Sequence, residues 1–250
     1  MRTEQSESAL TVVLDGTRPG NALTAEGVTD LHRVLDIAEA DRSLRVLVVR
    51  AQGDAFCTGM DLVQAADDDE AEAARGVGSY FDLLERFASS DLLVVSVVDG
   101  RAVGGGVGLA AASDVVLATA RANFSLPEVL WGLLPCAVLP FLVRRVGFQR
   151  AYSMTLGTLT VQAAKAADIG LVDELVDDPD RVLRRLLDRT SRVPVGLVAA
   201  AKQYCGTLAP SRAETRRTAV STFAELSAGE AFRSAVTGYT HDGRYPWQKS

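Results

Sequence analysis

The sequence predicts an α/β fold. Four short apolar runs, LTVVL (10–14), LRVLVVRA (44–51), LLVVSVV (92–98) and DVVLATA (114–120), have the length and β-branched content of buried strands. Helix-period segments separate them as far as about residue 176, and beyond it amphipathic helical segments dominate. Strands alternating with helices, then helices alone, describe an α/β core with an α-helical C-terminal region.

The elements follow in order. After the first strand, RPGNAL (18–23) reads as a turn, and Thr24 is placed to cap a helix running to about Ala40. LRVLVVRA leads into QGDAFCTGMD (52–61), a loop with two glycines. The acidic stretch AADDDEAEAA (65–74) is expected to be a solvated or mobile surface loop, with a helix following over 78–90. LLVVSVV leads into a glycine loop and a short alanine-rich helix, and DVVLATA returns to strand. FSLPEVLWGLLP (124–135) reads as a loop with a short helix, and AVLPFLVRRVG (137–147) as a helix with proline in its first turns. LTVQAAKAADIGLVDELV (159–176) reads as helix, Gly170 as its terminator, then strand. Three amphipathic stretches complete the chain, at 178–192, 193–208 and 212–239. The division expected is a core with the active site over 1–192 and a helical oligomerisation region over 193–250.

Composition excludes several functions. The 250 residues are 48% hydrophobic, yet no apolar run reaches the ~18 residues needed to span a bilayer. The start, MRTEQSESAL, lacks the basic and apolar regions of a secretory signal, so a soluble cytoplasmic protein is expected. A formal charge of −6, from 26 basic and 32 acidic residues, argues against a nucleic-acid partner. Three cysteines and two histidines, with no CxxC, form neither a disulfide framework nor a zinc site, so no metal is expected.

The most informative stretch is VDGRAVGGGVGLAAASD (98–114), with five glycines between Gly100 and Gly108. As a dinucleotide fingerprint, GVGLAA (106–111) fails on position, because Asp99 to Val103 intervene after the strand and the next strand begins only at Asp114. Tight packing of a strand-to-helix turn explains glycines taken alone. The third reading is an oxyanion hole, in which backbone N–H groups at a helix start point at a developing negative oxygen. That reading needs a second facing donor, and FCTGMD (56–61), which follows its own buried strand, is the candidate.

Taken as an ordered set, AFCTGMD, VDGRAVGGGVGLAAASD, FSLPEVLWGLLP and GTLTVQAAKAADIGLVDELV resemble the crotonase superfamily of enoyl-CoA hydratases and isomerases. The resemblance covers roughly residues 10–180. It implies a spiral of ββα units with a C-terminal α-helical trimerisation region, giving a homotrimer or a hexamer built as a dimer of trimers. It also implies a thioester enolate held by two backbone N–H groups, which fall here on Met60 and Gly105. The superfamily's hydratases carry two glutamates. The position of one is Gly108 in this chain, so that acid is missing and the glycine is expected to open space; the other falls on Glu128. LPCAVLP stands where most members have a glycine-rich PGAGG, and with MTLGTLT and RYPWQ it is similar to the dehydrating members of polyketide β-branching cassettes.

That narrower resemblance implies dehydration of a 3-hydroxy-3-methylglutaryl thioester on an acyl carrier protein to the 3-methylglutaconyl thioester. Glu128 would be the base, and no cofactor would be needed beyond the phosphopantetheine or CoA that carries the substrate. A lone carboxylate equally suits a thioester isomerase or a glutaconyl-thioester decarboxylase of the same superfamily, and a catalytically idle fold is the non-enzyme alternative. Tyr80, Gly108, Leu126, Trp131 and Leu133 are candidates for the acyl pocket. The apolar wall would raise the pKa of Glu128. Asp61 is expected to structure the oxyanion loop, and Cys57 and Cys136 to be packing residues. Two arginine groups, Arg144, Arg145 and Arg150, then Arg181, Arg184 and Arg185, are candidate docks for a carrier protein or ordinary solvated faces.

Overall fold

The computed structural model describes residues 1–6, 8–15, 19–61, 69–208 and 212–248. The first half of the chain runs β1 (Arg2–Gln5), β2 (Ala9–Leu14), α1 (Ala25–Ala40), β3 (Val46–Ala51), β4 (Ala55–Cys57), α2 (Glu70–Ser89), β5 (Leu93–Val98), β6 (Arg101–Val103), α3 (Gly105–Ala112), β7 (Val115–Ala118) and β8 (Asn123–Ser125). A 3-10 turn, Glu128–Trp131, leads into α4 (Leu139–Val146), α5 (Phe148–Gly157), β9 (Val161–Gln162), α6 (Ala163–Asp168) and β10 (Glu174–Leu175). Four helices close the chain: α7 (Pro179–Thr190), α8 (Leu197–Gly206), α9 (Arg212–Ser227) and α10 (Glu230–Asp242).

The strands sort by length into two sheets. The longer ones form a six-stranded sheet, β1-β2-β3-β5-β7-β10, parallel from β2 onward. The short ones form a second sheet, β4-β6-β8-β9, parallel except at β9. Each turn of chain therefore gives one strand to each sheet before a helix returns it, so β3-β4-α2 and β5-β6-α3 are successive turns of a spiral of ββα units. The larger sheet is covered on both faces, which explains its continuous apolar runs. Leu47, Val49, Val94 and Val98 join Phe56, Leu84, Phe87 and Phe124 on one side. Val46, Val48, Val95 and Val97 pack under Val182 and Leu183 of α7 on the other. Each such side chain removed from water contributes about 1.5–3 kcal/mol.

The Thr24 cap forms as expected, its hydroxyl accepting from the Gly27 N–H at 3.0 Å. Several features differ from the sequence reading, among them the unannounced helix α5 and the strand β9 inside the stretch read as helix from 159. The loops at 52–61, 98–104 and 121–127 each contain a three-residue strand, and β1 adds an edge strand that the polar RTEQ does not announce. The acidic stretch is the start of a helix, not a loop. Asp69 accepts from the Glu72 N–H at 2.7 Å while Glu72 accepts from the Asp69 N–H at 3.0 Å, a reciprocal cap that starts α2 at Glu70, eight residues before the expected 78. Residues 65–68 of that stretch lie outside the described residues. The single helical stretch expected over 212–239 is two helices, parted before Glu230.

The last helices are held to this chain's own core. Lys202 of α8 pairs with Asp114 at 2.7 Å and also donates to the Phe87 and Leu92 carbonyls. Arg216 of α9 grips Asp82 of α2 through two nitrogens. Phe232 and Val236 of α10 pack with Trp131 and Leu133. Among the described residues no helix is long and apolar enough to cross a membrane.

Candidate active site

Two loops at the ends of adjacent short strands supply backbone donors. After β4, Leu23 and Met60 form a parallel bridge, in which the Leu23 N–H donates to the Gly59 carbonyl at 2.7 Å and the Asp61 N–H to the Leu23 carbonyl at 3.0 Å. The amide of Met60 is thereby turned away from Leu23 and toward a cavity that Met60 lines. After β6, Gly104 takes φ +54° and α3 begins at Gly105, whose N–H belongs to the unsatisfied first turn. The loops nearly touch: a methyl group on Gly59 would lie 3.0 Å from the Gly105 nitrogen, so only glycine leaves both amides open.

Glu128 faces the same gap. Its 3-10 turn follows Pro127, and a methyl on Gly104 would lie 2.9 Å from its Oε1. Its Oε2 is buried and has no hydrogen-bond partner. Burial pushes its pKa from 4.5 up to about 7, against a smaller lowering by its own backbone N–H. A carboxylate poised near neutrality beside two amide donors has what proton abstraction next to a thioester requires.

Gly108 does not open space. A methyl there would lie 2.5 Å from the Tyr80 hydroxyl, 3.0 Å from Val138 Cγ2 and 3.2 Å from Leu84 Cδ1. Tyr80, from α2, fills the room that a side chain at 108 would need, and its hydroxyl donates to the Gly105 carbonyl. Burial raises the Tyr80 pKa well above 10, so the phenol stays protonated and holds the first turn of α3.

The cavity measures about 540 Å³ and is lined by Met60, Tyr80, Gly105, Glu128, Trp131 and Leu133 among others. Of the acyl-pocket candidates, Gly108 and Leu126 are not in its wall. Gly108 is buried beneath Tyr80, and Leu126, 1% exposed, shares the core-facing side of the β8 strand line with Phe124. Leu134 through Val138 do line it, placing the apolar LPCAVLP segment at the site. Trp131 makes edge contacts to Tyr239, Tyr245 and Trp247, so the RYPWQ stretch packs on the side of Trp131 away from the core.

Other expectations resolve locally. Asp61 is buried in the cavity wall, and its N–H joins the Leu23 bridge. Cys57 and Cys136 are free and buried, their thiols pushed up to about 12 and about 11 by burial, far from thiolate chemistry. Arg145 is no dock: it is half-buried and fully engaged, donating to the Ser113 and Leu171 carbonyls and pairing with Asp173. Arg185 is tied to Glu174 at 3.0 Å. Among the described residues no cluster of three or more His, Cys, Asp or Glu could hold a metal ion. Sequence reasoning missed that Phe223 of α9 and Phe232, Arg233, Val236 and Thr237 of α10 wall the cavity. The amphipathic period of 212–239 was the available signal, but it does not say which elements its apolar face covers.

Known proteins resemble this chain in sequence and fold. The sequence model of the Enoyl-CoA hydratase/isomerase family matches residues 4–250. The bacillaene synthase dehydratase PksH of Bacillus subtilis is 28% identical over 91% of this chain and 88% of its own. A Rhodobacter capsulatus protein named as a probable enoyl-CoA hydratase is 35% identical over 72% of this chain and 70% of its own. A mevalonyl-coenzyme A hydratase of Beauveria bassiana is 29% identical over 96% and 91%. Among solved structures, a B. subtilis protein described as a polyketide biosynthesis enoyl-CoA hydratase superposes with a TM-score of 0.90 at 26% identity, covering 98% of both chains. The fold is the crotonase fold, the chemistry is of the hydro-lyase kind that enoyl-CoA hydratases perform, and the chain belongs to the enoyl-CoA hydratase/isomerase family.

Proposed function

We propose that this chain dehydrates a 3-hydroxy-3-methylglutaryl thioester, carried on an acyl carrier protein, to the 3-methylglutaconyl thioester. The observation that carries the reading is the buried carboxylate of Glu128, with an unpartnered Oε2, beside the two loop amides and with no acid at position 108. The naming of PksH as a dehydratase supports the direction of reaction.

The thioester oxygen sits between the N–H groups of Met60 and Gly105. Ionised Glu128 takes the proton from C2, and the electron pair moves to the thioester oxygen as an enolate. The enolate then collapses, C2=C3 forms, and the C3–O bond breaks. The departing hydroxide takes back the proton held on Glu128 and leaves as water. One carboxylate serves both transfers when proton and hydroxyl leave from the same face. Tyr80 takes no part in proton transfer, because its hydroxyl is committed to the Gly105 carbonyl.

The test is intact-mass spectrometry of a carrier protein loaded with 3-hydroxy-3-methylglutaryl, incubated with the wild type and with Glu128→Gln. Loss of one water in the wild type, slowed about 10²–10⁴-fold in the variant, is the expected outcome. No loss of water with the wild type overturns the assignment, and unsaturated thioesters then test isomerisation and decarboxylation.

A further inference from the structure

The cavity that holds Glu128 is acidic. Its wall contains Asp61, Asp69, Glu70 and Glu128, and among the lining residues the one basic side chain is Arg233. Arg233 stands on α10 between Phe232 and Val236, one turn on, both buried against Trp131 and Leu133. That helix is seated tightly on the segment bearing the base: a methyl on Gly132 would lie 2.7 Å from Ala231 Cβ and 3.1 Å from the Phe232 nitrogen. Arg233 is exposed at the rim, and its guanidinium makes no hydrogen bond or ion pair with any described residue. Among the described residues several arginines make no such pairing, and Arg233 is the one of them that lines this cavity.

We propose that Arg233 binds the distal carboxylate of the acyl group and selects dicarboxylic thioesters. The inference rests on the dehydratase reading for the presence of that carboxylate. With the thioester oxygen at the Met60 and Gly105 amides and C2 at Glu128, the acyl tail runs along Trp131, Leu133, Phe232 and Val236. Among the charged side chains of the wall, a carboxylate at its end meets only acids except at Arg233, and the neutral hydroxyls of Thr24, Thr58, Ser227 and Thr237 cannot balance its charge. Left unpaired there, it loses its hydration without compensation. Paired with a guanidinium, it gains a planar, charge-assisted contact that a neutral tail cannot make.

The test uses binding rather than turnover, so that it stands apart from the dehydration assay. S-(3,3-dimethylglutaryl)-pantetheine lacks the hydroxyl that must leave, and its distal amide is a neutral isostere. Isothermal calorimetry compares both with the wild type, Arg233→Gln and Arg233→Lys. The wild type is expected to prefer the acid over the amide by roughly 10- to 100-fold, Arg233→Gln to bind both equally, and Arg233→Lys to keep part of the preference. An unchanged preference in Arg233→Gln, or none in the wild type, overturns the proposal. A third arm adds the 4′-phosphate to the pantetheine. If Arg233→Gln abolishes only the gain from that phosphate, the arginine serves the carrier arm and the proposal falls. A wild type that prefers the acid yet releases no water from the hydroxylated substrate refutes the dehydratase reading and leaves Arg233 as a carboxylate site.

Discussion

At the scale of single residues, Glu128 links activity to stability through one proton. In the proposed role of base it must be ionised, so kcat/KM is expected to rise with pH and level off above about 7. Stability runs the other way. Because burial raises its pKa above 4.5, the folded protein holds a proton that the unfolded chain releases. The favourable contribution is complete below about 4.5 and is lost as pH rises through about 7. Glu128→Gln is therefore expected to slow turnover about 10²–10⁴-fold while stabilising the fold at pH 8 by on the order of 2–3 kcal/mol, with no gain at pH 4, read from urea unfolding at both pH values. A variant that loses stability at pH 8 would show that the carboxylate is solvated. Gly108 carries the second residue-scale prediction. Gly108→Ala drives a methyl against the Tyr80 hydroxyl, and the overpacking is expected to cost about 1–3 kcal/mol. Tyr80→Phe should return part of that, since Val138 and Leu84 still crowd the site, and a double-mutant cycle measures the coupling.

At the scale of elements, buried positions were legible and short ones were not. The four strands read from apolar runs became the centre of the large sheet, because burial on both faces writes a continuous pattern. β4, β6 and β8, three residues each, left too few positions for any period, yet they carry the loops that present Met60 and Gly105. Met60, Gly105 and Glu128 were named from ordered motifs, not from secondary structure, and the structure brings all three to one cavity. Gly108 and Leu126 were misplaced because sequence order alone does not say which side of a strand or helix faces the cavity. The acidic start of α2 misled in the opposite sense: charge density suggested a loop, and the Asp69–Glu72 cap outweighed it. The attachment of α8 is another long-range event that no local pattern records. Lys202 is only 8% exposed, and its ammonium is shared by Asp114 and two carbonyls. Lys202→Met is expected to cost about 3 kcal/mol at neutral pH, because it leaves the half-buried Asp114 charged with the Val94 N–H but without its ammonium. The loss should shrink on acidification, since burial already raises the Asp114 pKa and a proton can replace the lost cation. An equal loss at both pH values would assign the effect to the two carbonyls instead.

At the scale of the whole molecule, the site is closed by this chain's own C-terminus, which leaves other apolar surfaces without cover. Phe148, Tyr152 and Leu156 recur every four residues along α5 and are 67%, 49% and 54% exposed, with the first two rings stacked 5.7 Å apart. Three large apolar side chains on one helix stripe are costly to leave in water. The oligomeric habit of this family supplies an occupant, a second copy of the chain, and cyclic symmetry would bury the stripe once per protomer. Sedimentation equilibrium is expected to give three or six chains per particle. Tyr152→Glu with Leu156→Glu places charge in that contact and should release monomers that keep their circular dichroism, because neither side chain belongs to the core. Those monomers should also keep binding to pantetheine thioesters, since Trp131, Phe232 and Arg233 all come from one chain. A wild type that sediments as a monomer would mean that the α5 stripe is exposed for another reason. A variant that dissociates and also loses binding would mean that the neighbouring protomer braces the cavity.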